Sequence, residues 1–301
     1  MNSNRDSTQK ILGVVVTYFP DSSLESRIQK LIEQFEEVLI VDNTPCEESQ
    51  VSLQLLMKFS NLSILRMKKN MGIAYALNEG LNYAKNHGYS WIGTFDQDST
   101  LPDNFLQEIF SGLKNFPQKD KVAILSPVYL LPDGSKKSFS YKRKNLTDIR
   151  VVDFTMTSGN VVNVAKAEQA GGYDNYLFID YVDFDLCLRF RIKGFLILEN
   201  AKIILAHDLG KNFSHKRFLF KMVGITNYPP SRVYFSTRNR LILYTRFWKT
   251  APEFVMKDIS KLPMVIIKIL LFESEKKSKI QAFFVGFRDG IFRRLEINKN
   301  G

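Results

Sequence analysis

The 301-residue sequence is poor in thiols and imidazoles: it has two cysteines, Cys46 and Cys187, and three histidines. Two thiols without metal-type spacing leave no disulfide framework and point to a reducing compartment. No apolar run reaches the roughly 18 to 20 residues that a membrane-spanning helix needs. The N-terminal MNSNRDSTQK has no apolar stretch of the kind a secretory signal carries. The cytosol is therefore the expected location. No Gly-x-Gly-x-x-Gly follows the first apolar run, which argues against a dinucleotide oxidoreductase. Internal repeats and low-complexity segments are also missing.

Acids are in deficit. Against 42 Lys and Arg stand 31 Asp and Glu, a net charge of +11, and the region from Lys136 onward carries the excess. Nucleic acid, an anionic membrane face and phosphorylated substrates all suit such a charge. With no zinc-finger spacing and no RNP-like aromatic motif, nucleic acid is the least favoured of the three.

What is present is a chain with 45% apolar residues, enough for a full core. Its first half alternates strand and helix. Ile11–Phe19 is a β-branched apolar run of the kind buried on both faces of a parallel sheet. Ser22 and Glu25 have capping-box spacing ahead of Leu24, Ile28, Leu31, Ile32 and Phe35 at helical intervals. Glu37–Asn43 reads as a second strand, Ser49–Phe59 as a helix, Ser63–Met67 as a third strand, Ile73–Asn86 as a helix and Trp91–Phe95 as a fourth strand. This order predicts an α/β fold with a mostly parallel, doubly wound sheet. Lys121–Leu130, Val151–Val164 and Phe195–Ala206 extend the sheet, residues 131–148 form a basic loop, and the pattern becomes helical and basic from about Leu241. The expected division is a catalytic domain over residues 1–240 and a helical region over 241–301.

Ligands of such sheets bind at the carboxyl ends of the strands. Four polar strand ends gather there: Thr17-Tyr18, Asp42-Asn43, Asn70-Met71-Gly72 and Asp96-Gln97-Asp98. Asp96 and Asp98 are spaced to hold a hard divalent cation together, or to divide metal and ribose between them. The alternative is a solvated loop or helix cap. Asp42 is placed either to accept the imide N–H of a pyrimidine base or to close a turn. Asn70 and Gly72 precede a helix, as a phosphate site or as a plain cap. Further on, Asp180, Asp183 and Asp185 crowd the start of a helix, where one acid beside a cleft suits a general base and another suits the helix dipole.

Together VVVTYFP (14–20), IVDN (40–43), NMGIAYALNEG (70–80), TFDQDS (94–99), SGN (158–160), GGYDNYLFIDYVDFDLCLR (171–189) and HDLG (207–210) resemble the inverting family 2 glycosyltransferases of the GT-A fold. The DQDS form and YVDFDLCLR resemble the bacterial rhamnosyltransferase branch. The resemblance covers residues 11–245. It implies a nucleotide-sugar donor, dTDP-β-L-rhamnose in that branch, a glycan or lipid-linked glycan acceptor, and Mg²⁺ or Mn²⁺ as cofactor. By position it implies that Thr17, Tyr18 and Asp42 line the base site and that Asn70 and Gly72 lie near base and ribose. Asp96 would contact ribose or metal, Asp98 the metal, and His207 would be either a further metal ligand or a structural histidine. Asp183 matches the catalytic aspartate of the family's Glu-Asp motif. Here Val182 replaces the Glu, which leaves Asp180 as a rival. The Gln-x-x-Arg-Trp motif of processive synthases is absent, which implies transfer of single sugars.

Two basic stretches remain. In Ser231–Arg240, Arg238 is the candidate contact to a diphosphate, or else part of a solvated helix face. The C-terminal segments pair Leu262, Val265, Ile266, Ile269, Phe283, Phe284 and Phe287 with many Lys and Arg. That pattern suits either peripheral contact with the inner face of the cell membrane or packing, including a homodimer.

Overall fold

The computed structural model describes residues 10–45, 53–130, 136–137, 148–206, 214–218 and 221–297. They form two compact units. The first holds the chain up to Phe178 and Val182–Asp208, and the second holds Ile179–Tyr181 and the chain from Leu209.

The first unit runs β1 (Ile11–Thr17), α1 (Leu24–Ile32), β2 (Glu37–Asp42), a 3-10 turn (Gln54–Lys58), β3 (Leu62–Arg66), α2 (Ile73–Asn86), β4 (Trp91–Asp96) and α3 (Phe105–Lys114). It continues through β5 (Val122–Leu130), β6 (Lys136–Lys137), β7 (Ile149–Val152), β8 (Asn160–Asn163), α4 (Val164–Gln169), α5 (Val182–Ile192) and β9 (Leu196–Ala206). The strands form one sheet in the order β3-β2-β1-β4-β8-β5-β9-β7, with β6 beside β5. β1 to β4 are parallel, and β8 enters antiparallel to both β4 and β5.

The apolar runs are buried because this sheet is covered on both faces. Leu12, Val14 and Ile92 have no exposed surface, and Val38 and Ile40 share one buried core with Ile28, Leu31, Phe35, Phe95 and Phe105. Gly93 and Gly13 leave room for the Phe35 ring, which packs edge-on to Phe95 at 5.6 Å. Register then fixes the site. Thr17 is paired with Asp42, Asp42 with Arg66, and Val16 with Asp96, so the polar ends of three adjacent strands lie in one row.

Several local expectations change. Ser22 is not the cap of α1: the helix starts at Leu24, and Asp21 takes the Ser23 N–H at 3.0 Å in a short Asx turn that displaces the expected capping box. Of the expected helix at Ser49–Phe59, the described part is only the short turn Gln54–Lys58, and residues 46–52 lie outside the described residues. The strand expected over Val151–Val164 is two strands, β7 and β8, because Gly159 turns at φ +83° and donates its N–H to Thr94 O at 2.7 Å. The basic loop at 131–148 falls outside the described residues except for Lys136, Lys137 and Asp148.

The second unit contains β10 (Ser214–Phe218) paired antiparallel with β11 (Lys221–Ile225). Four helices follow: α6 (Pro230–Phe247), α7 (Pro252–Ile259), α8 (Leu262–Phe272) and α9 (Lys276–Ile297). Helical structure thus begins at Pro230 and not near Leu241, with proline at the first turn, where its missing N–H costs nothing. α9 lies close along α6 because Gly286 and Gly290 face it; an added Cβ would stand 2.5 Å from Tyr234 O and 2.8 Å from Arg238 O. Among the described residues no helix is long and apolar enough to cross a membrane.

Candidate active site

The row of strand ends is tied together by side chains. The Thr17 hydroxyl donates to Asp42 Oδ1 at 2.9 Å, and the Thr44 hydroxyl and N–H reach the same oxygen at 2.7 and 3.1 Å. Thr44 Oγ1 in turn accepts the Phe19 N–H at 2.8 Å. Asp42 has no exposed surface, so its carboxylate organises the end of β1 from below. Above it Tyr18 and Phe19 are each 47% exposed, their rings edge to face at 4.6 Å. Phe19 holds φ +48°, a conformation uncommon outside glycine, which turns its ring out of the strand. Two exposed rings at a sheet edge are a platform on which a nucleotide base can stack. Tyr18 was legible in the sequence. The direction of Phe19, the next residue in the same motif, is set by the turn and has no signal in the sequence.

The acidic motif is linked to this platform by its central residue. Gln97 Oε1 accepts the Tyr18 N–H at 2.7 Å, and the Gln97 carbonyl accepts from Arg27 at 3.2 Å. Asp96 N–H donates to Ser158 Oγ at 3.2 Å, and Ser99 N–H returns to the Asp96 carbonyl at 3.1 Å. Ser99 and Ser158 share a hydrogen bond, so the turn after β4 is braced against the Ser-Gly-Asn turn before β8. Asp96 is half-buried and Asp98 exposed.

Asn70 and Gly72 form a tight approach to α2. Asn70 Oδ1 accepts the Gly72 N–H at 2.9 Å, and Asn43 bridges the loop by accepting from Met71 N and donating to Gly72 O, both at 3.2 Å. The Ile73 N–H donates to Phe178 O at 2.7 Å. These N–H groups are satisfied within the protein, so the loop presents its backbone as a rigid wall. Gly72 is required here: at φ +85° and ψ 165° almost only glycine is found, and a Cβ would lie 2.6 Å from Phe178. From α2, Asn78 also holds the Gly-Gly-Tyr-Asp segment, accepting from Tyr173 N at 2.8 Å and donating to Tyr173 O and Asn175 Oδ1 at 2.7 Å.

Asp183 lies in the first turn of α5, half-buried, with its Oδ1 accepting the Phe184 N–H at 2.9 Å. Beneath it the Tyr129 hydroxyl lies within 3.0 Å of Thr155 Oγ1 and Met156 O. Burial pushes Cys187 well up from the ordinary thiol value, and the Asp183 carboxylate adds to that shift. Cys187 is therefore a neutral thiol and no nucleophile. Asp185 is fully buried and paired with Arg189 at 2.7 Å, one turn on.

The remaining candidates divide. Asp180 belongs to the second unit, where Arg232 grips its carboxylate at 3.0 to 3.2 Å. Arg238 is 6% exposed, and its Nε and Nη2 donate to Asn239 Oδ1 at 3.0 and 2.8 Å while the guanidinium faces the Phe235 ring at 4.9 Å. It is not on a solvated helix face. His207 lies outside the described residues. Among the described residues no three His, Cys, Asp or Glu side chains cluster as metal ligands. Asp96 and Asp98 bring two carboxylates, hard-oxygen donors by chemistry, to the turn after β4.

The family model for glycosyl transferase family 2 matches residues 14–150, the stretch that carries the exposed Tyr18 and Phe19 rings, the Asn70–Gly72 wall and the acidic motif. The chain is similar to that family over this stretch, a little under half of its length. It is 28% identical over 294 residues to the dTDP-rhamnosyl transferase RfbF of Shigella flexneri, spanning 93% of this chain and 92% of the relative. It is 22% identical over 263 residues to the amylovoran biosynthesis glycosyltransferase AmsE of Erwinia amylovora, spanning 85% and 93%. Among solved structures, GalNAc-T7 with UDP, GalNAc and Mn²⁺ superposes with a TM-score of 0.60 at 13% identity, over 83% of this chain and 50% of that one. The mannosyltransferase PcManGT from Pyrobaculum calidifontis, with GDP-Man and Mn²⁺, gives 0.53 at 13% identity, over 77% and 62%. The chain thus shares the GT-A fold of these two structures.

Proposed function

We propose that this chain is a glycosyltransferase that inverts configuration and moves L-rhamnose from dTDP-β-L-rhamnose to a cell-surface glycan acceptor, one sugar at a time. The observation that carries the reading is the joined edge of Thr17, Asp42, Tyr18 and Asp96-Gln97-Asp98, a base platform connected through Gln97 to two carboxylates. The rhamnosyl donor is supported by the similarity to the dTDP-rhamnosyl transferase over nearly the whole of both chains.

Tyr18 and Phe19 bind the thymine ring, with Asp42 and Thr17 holding the platform beneath. Gly72 and Asn70 form the wall beside base and ribose, and Asp96 reaches the ribose. Asp98 and Asp96 would hold a divalent cation, Mg²⁺ or Mn²⁺, and the chemistry it would supply there is neutralisation of charge on the diphosphate. Asp183 removes the proton of the acceptor hydroxyl, and the resulting oxygen attacks the anomeric carbon from the face opposite the diphosphate. The new bond is α. Asp183 is favoured over Asp180 because the Asp180 carboxylate is committed to Arg232.

We further propose that the enzyme works at the cytoplasmic face of the membrane on a lipid-linked acceptor. Supporting this, α8 is apolar with only Ile269 buried, and Phe284, Phe287 and Ile291 of α9 are exposed beside Arg288. A homodimer through the same face is the competing use. The anomeric configuration of the product, read by NMR, tests the mechanism: an α-linked rhamnoside is expected, and a β-linked product would reject inversion.

A further inference from the structure

Between Phe178 and Asp183 the backbone is held in an improbable shape. Phe178, Asp180 and Tyr181 have φ of +59°, +63° and +64°, and none is glycine. Left-handed side-chain-bearing residues persist only where surrounding contacts over-determine them, and they concentrate at functional sites. The contacts here come from the second unit, to which Ile179–Tyr181 belong although the chain on either side belongs to the first.

Each residue of the segment is gripped separately. Asn239, fully buried in α6, donates its side-chain amide to the Ile179 carbonyl at 2.7 Å and the Asp180 carbonyl at 2.9 Å. Its own oxygen accepts from Arg238, which fixes the orientation of the amide. Arg232, stacked on the Tyr228 ring at 3.8 Å, forks onto the Asp180 carboxylate. The Tyr181 hydroxyl donates to Asp258 Oδ2 at 2.9 Å and accepts from Arg240 Nε at 2.6 Å. Asp258 and Arg240 are themselves paired at 2.9 Å. A buried asparagine spent on two successive carbonyls is a costly way to hold an ordinary loop, because its polar atoms must all be matched. Val182 and Asp183 follow directly in the chain, at the start of α5.

We propose that Asn239, with Arg232 as its partner, is a positioning residue for catalysis: it locks the Ile179–Tyr181 segment, left-handed at Asp180 and Tyr181, and so sets where α5 begins and where Asp183 is presented. This rests on the reading of Asp183 as the base. It also gives Arg238 and Asp180 roles other than contact with diphosphate and proton transfer.

The test uses the full-length enzyme with Asn239→Ala, Asn239→Asp and Arg232→Lys, and Asp183→Asn as reference. Misplacement of a catalytic group by an ångström costs on the order of 100-fold in rate, so Asn239→Ala should lower kcat by about that factor. The donor KM and the donor Kd should stay within about 3-fold, since donor binding in the ground state is untouched. Hydrogen exchange at residues 178–183 should accelerate. Asn239→Asp, of equal size but with no amide to donate, should behave alike, and Arg232→Lys should lose less. If Asn239→Ala does not fold, Asn239→Asp carries the same expectation. Wild-type kcat in these variants, or a loss that follows donor binding and melting temperature in parallel, overturns the proposal. Should Asp183→Asn turn over normally, the base assignment fails, and unchanged exchange at 178–183 would separately refute the lock.

Discussion

Thr17 and Asp42, 25 positions apart, meet at the ends of neighbouring parallel strands, where the threonine hydroxyl donates to a carboxylate with no exposed surface. Asp42→Ala would strand the Thr17 and Thr44 hydroxyls in a buried site, at about 1–3 kcal/mol for each unsatisfied group. Because Thr44 also holds the Phe19 N–H, the aromatic platform should loosen too. The expected result is a lower denaturation midpoint together with at least about tenfold weaker nucleotide binding, 1.4 kcal/mol being a factor of ten. Parallel denaturant titration and calorimetric binding of dTDP check both.

The two carboxylates proposed for chemistry should separate in kinetics. Asp183→Asn should keep donor affinity while kcat falls by about 10² to 10⁴, the usual contribution of a general base. Asp98→Asn should weaken donor binding and flatten its dependence on Mg²⁺ or Mn²⁺. Initial rates across a metal titration distinguish them.

Gly72→Ala places a side chain where φ is +85° and Phe178 stands 2.6 Å away. A non-glycine residue there costs about 1–3 kcal/mol in backbone strain alone. The variant should melt earlier and bind donor more weakly than Gly88→Ala, where φ is also positive but nothing stands within 4 Å. Thermal melts of the two compare the effect of the contact directly.

Much of this edge is legible in the sequence because β-branched runs ending in Thr-Tyr, Asp-Asn and Asp-Gln-Asp need no tertiary information to be read as parallel strands with polar ends. The start of α1 differs from the Ser22–Glu25 pattern because the Asp21 carboxylate takes the Ser23 N–H and the helix begins one residue later, at Leu24. Other features depend on distant partners. Arg232 is 52 positions from Asp180 and Asn239 is 60 from Ile179, so no local pattern reveals that Asp180 is spent, or that Arg238 is buried among aromatic rings. The split of β7 from β8 follows from a Gly159 turn inside a run that otherwise reads as continuous strand.

Stability should also depend on a carboxylate away from the site. Burial pushes the Glu37 pKa upward, but hydrogen bonds from Ser63, Tyr83 and Tyr89 outweigh it and hold the value below the ordinary 4.5. A pKa depressed in the folded state stabilises above the unfolded value and is lost as pH falls through the folded one. Glu37→Gln should therefore lower the melting temperature at neutral pH. The gap from wild type should narrow below pH 4.5. Melting curves across that range give the answer.

The central claim is the donor, and turnover of a panel of nucleotide sugars tests it most directly. With Mg²⁺ or Mn²⁺ and acceptor present, nucleoside diphosphate should be released from dTDP-β-L-rhamnose in preference to UDP- and GDP-linked hexoses, and Asp98→Asn and Asp183→Asn should each slow that release sharply. Preference for a UDP-linked hexose would contradict the rhamnosyl assignment, and nucleotide binding without turnover of any donor would contradict the transferase mechanism.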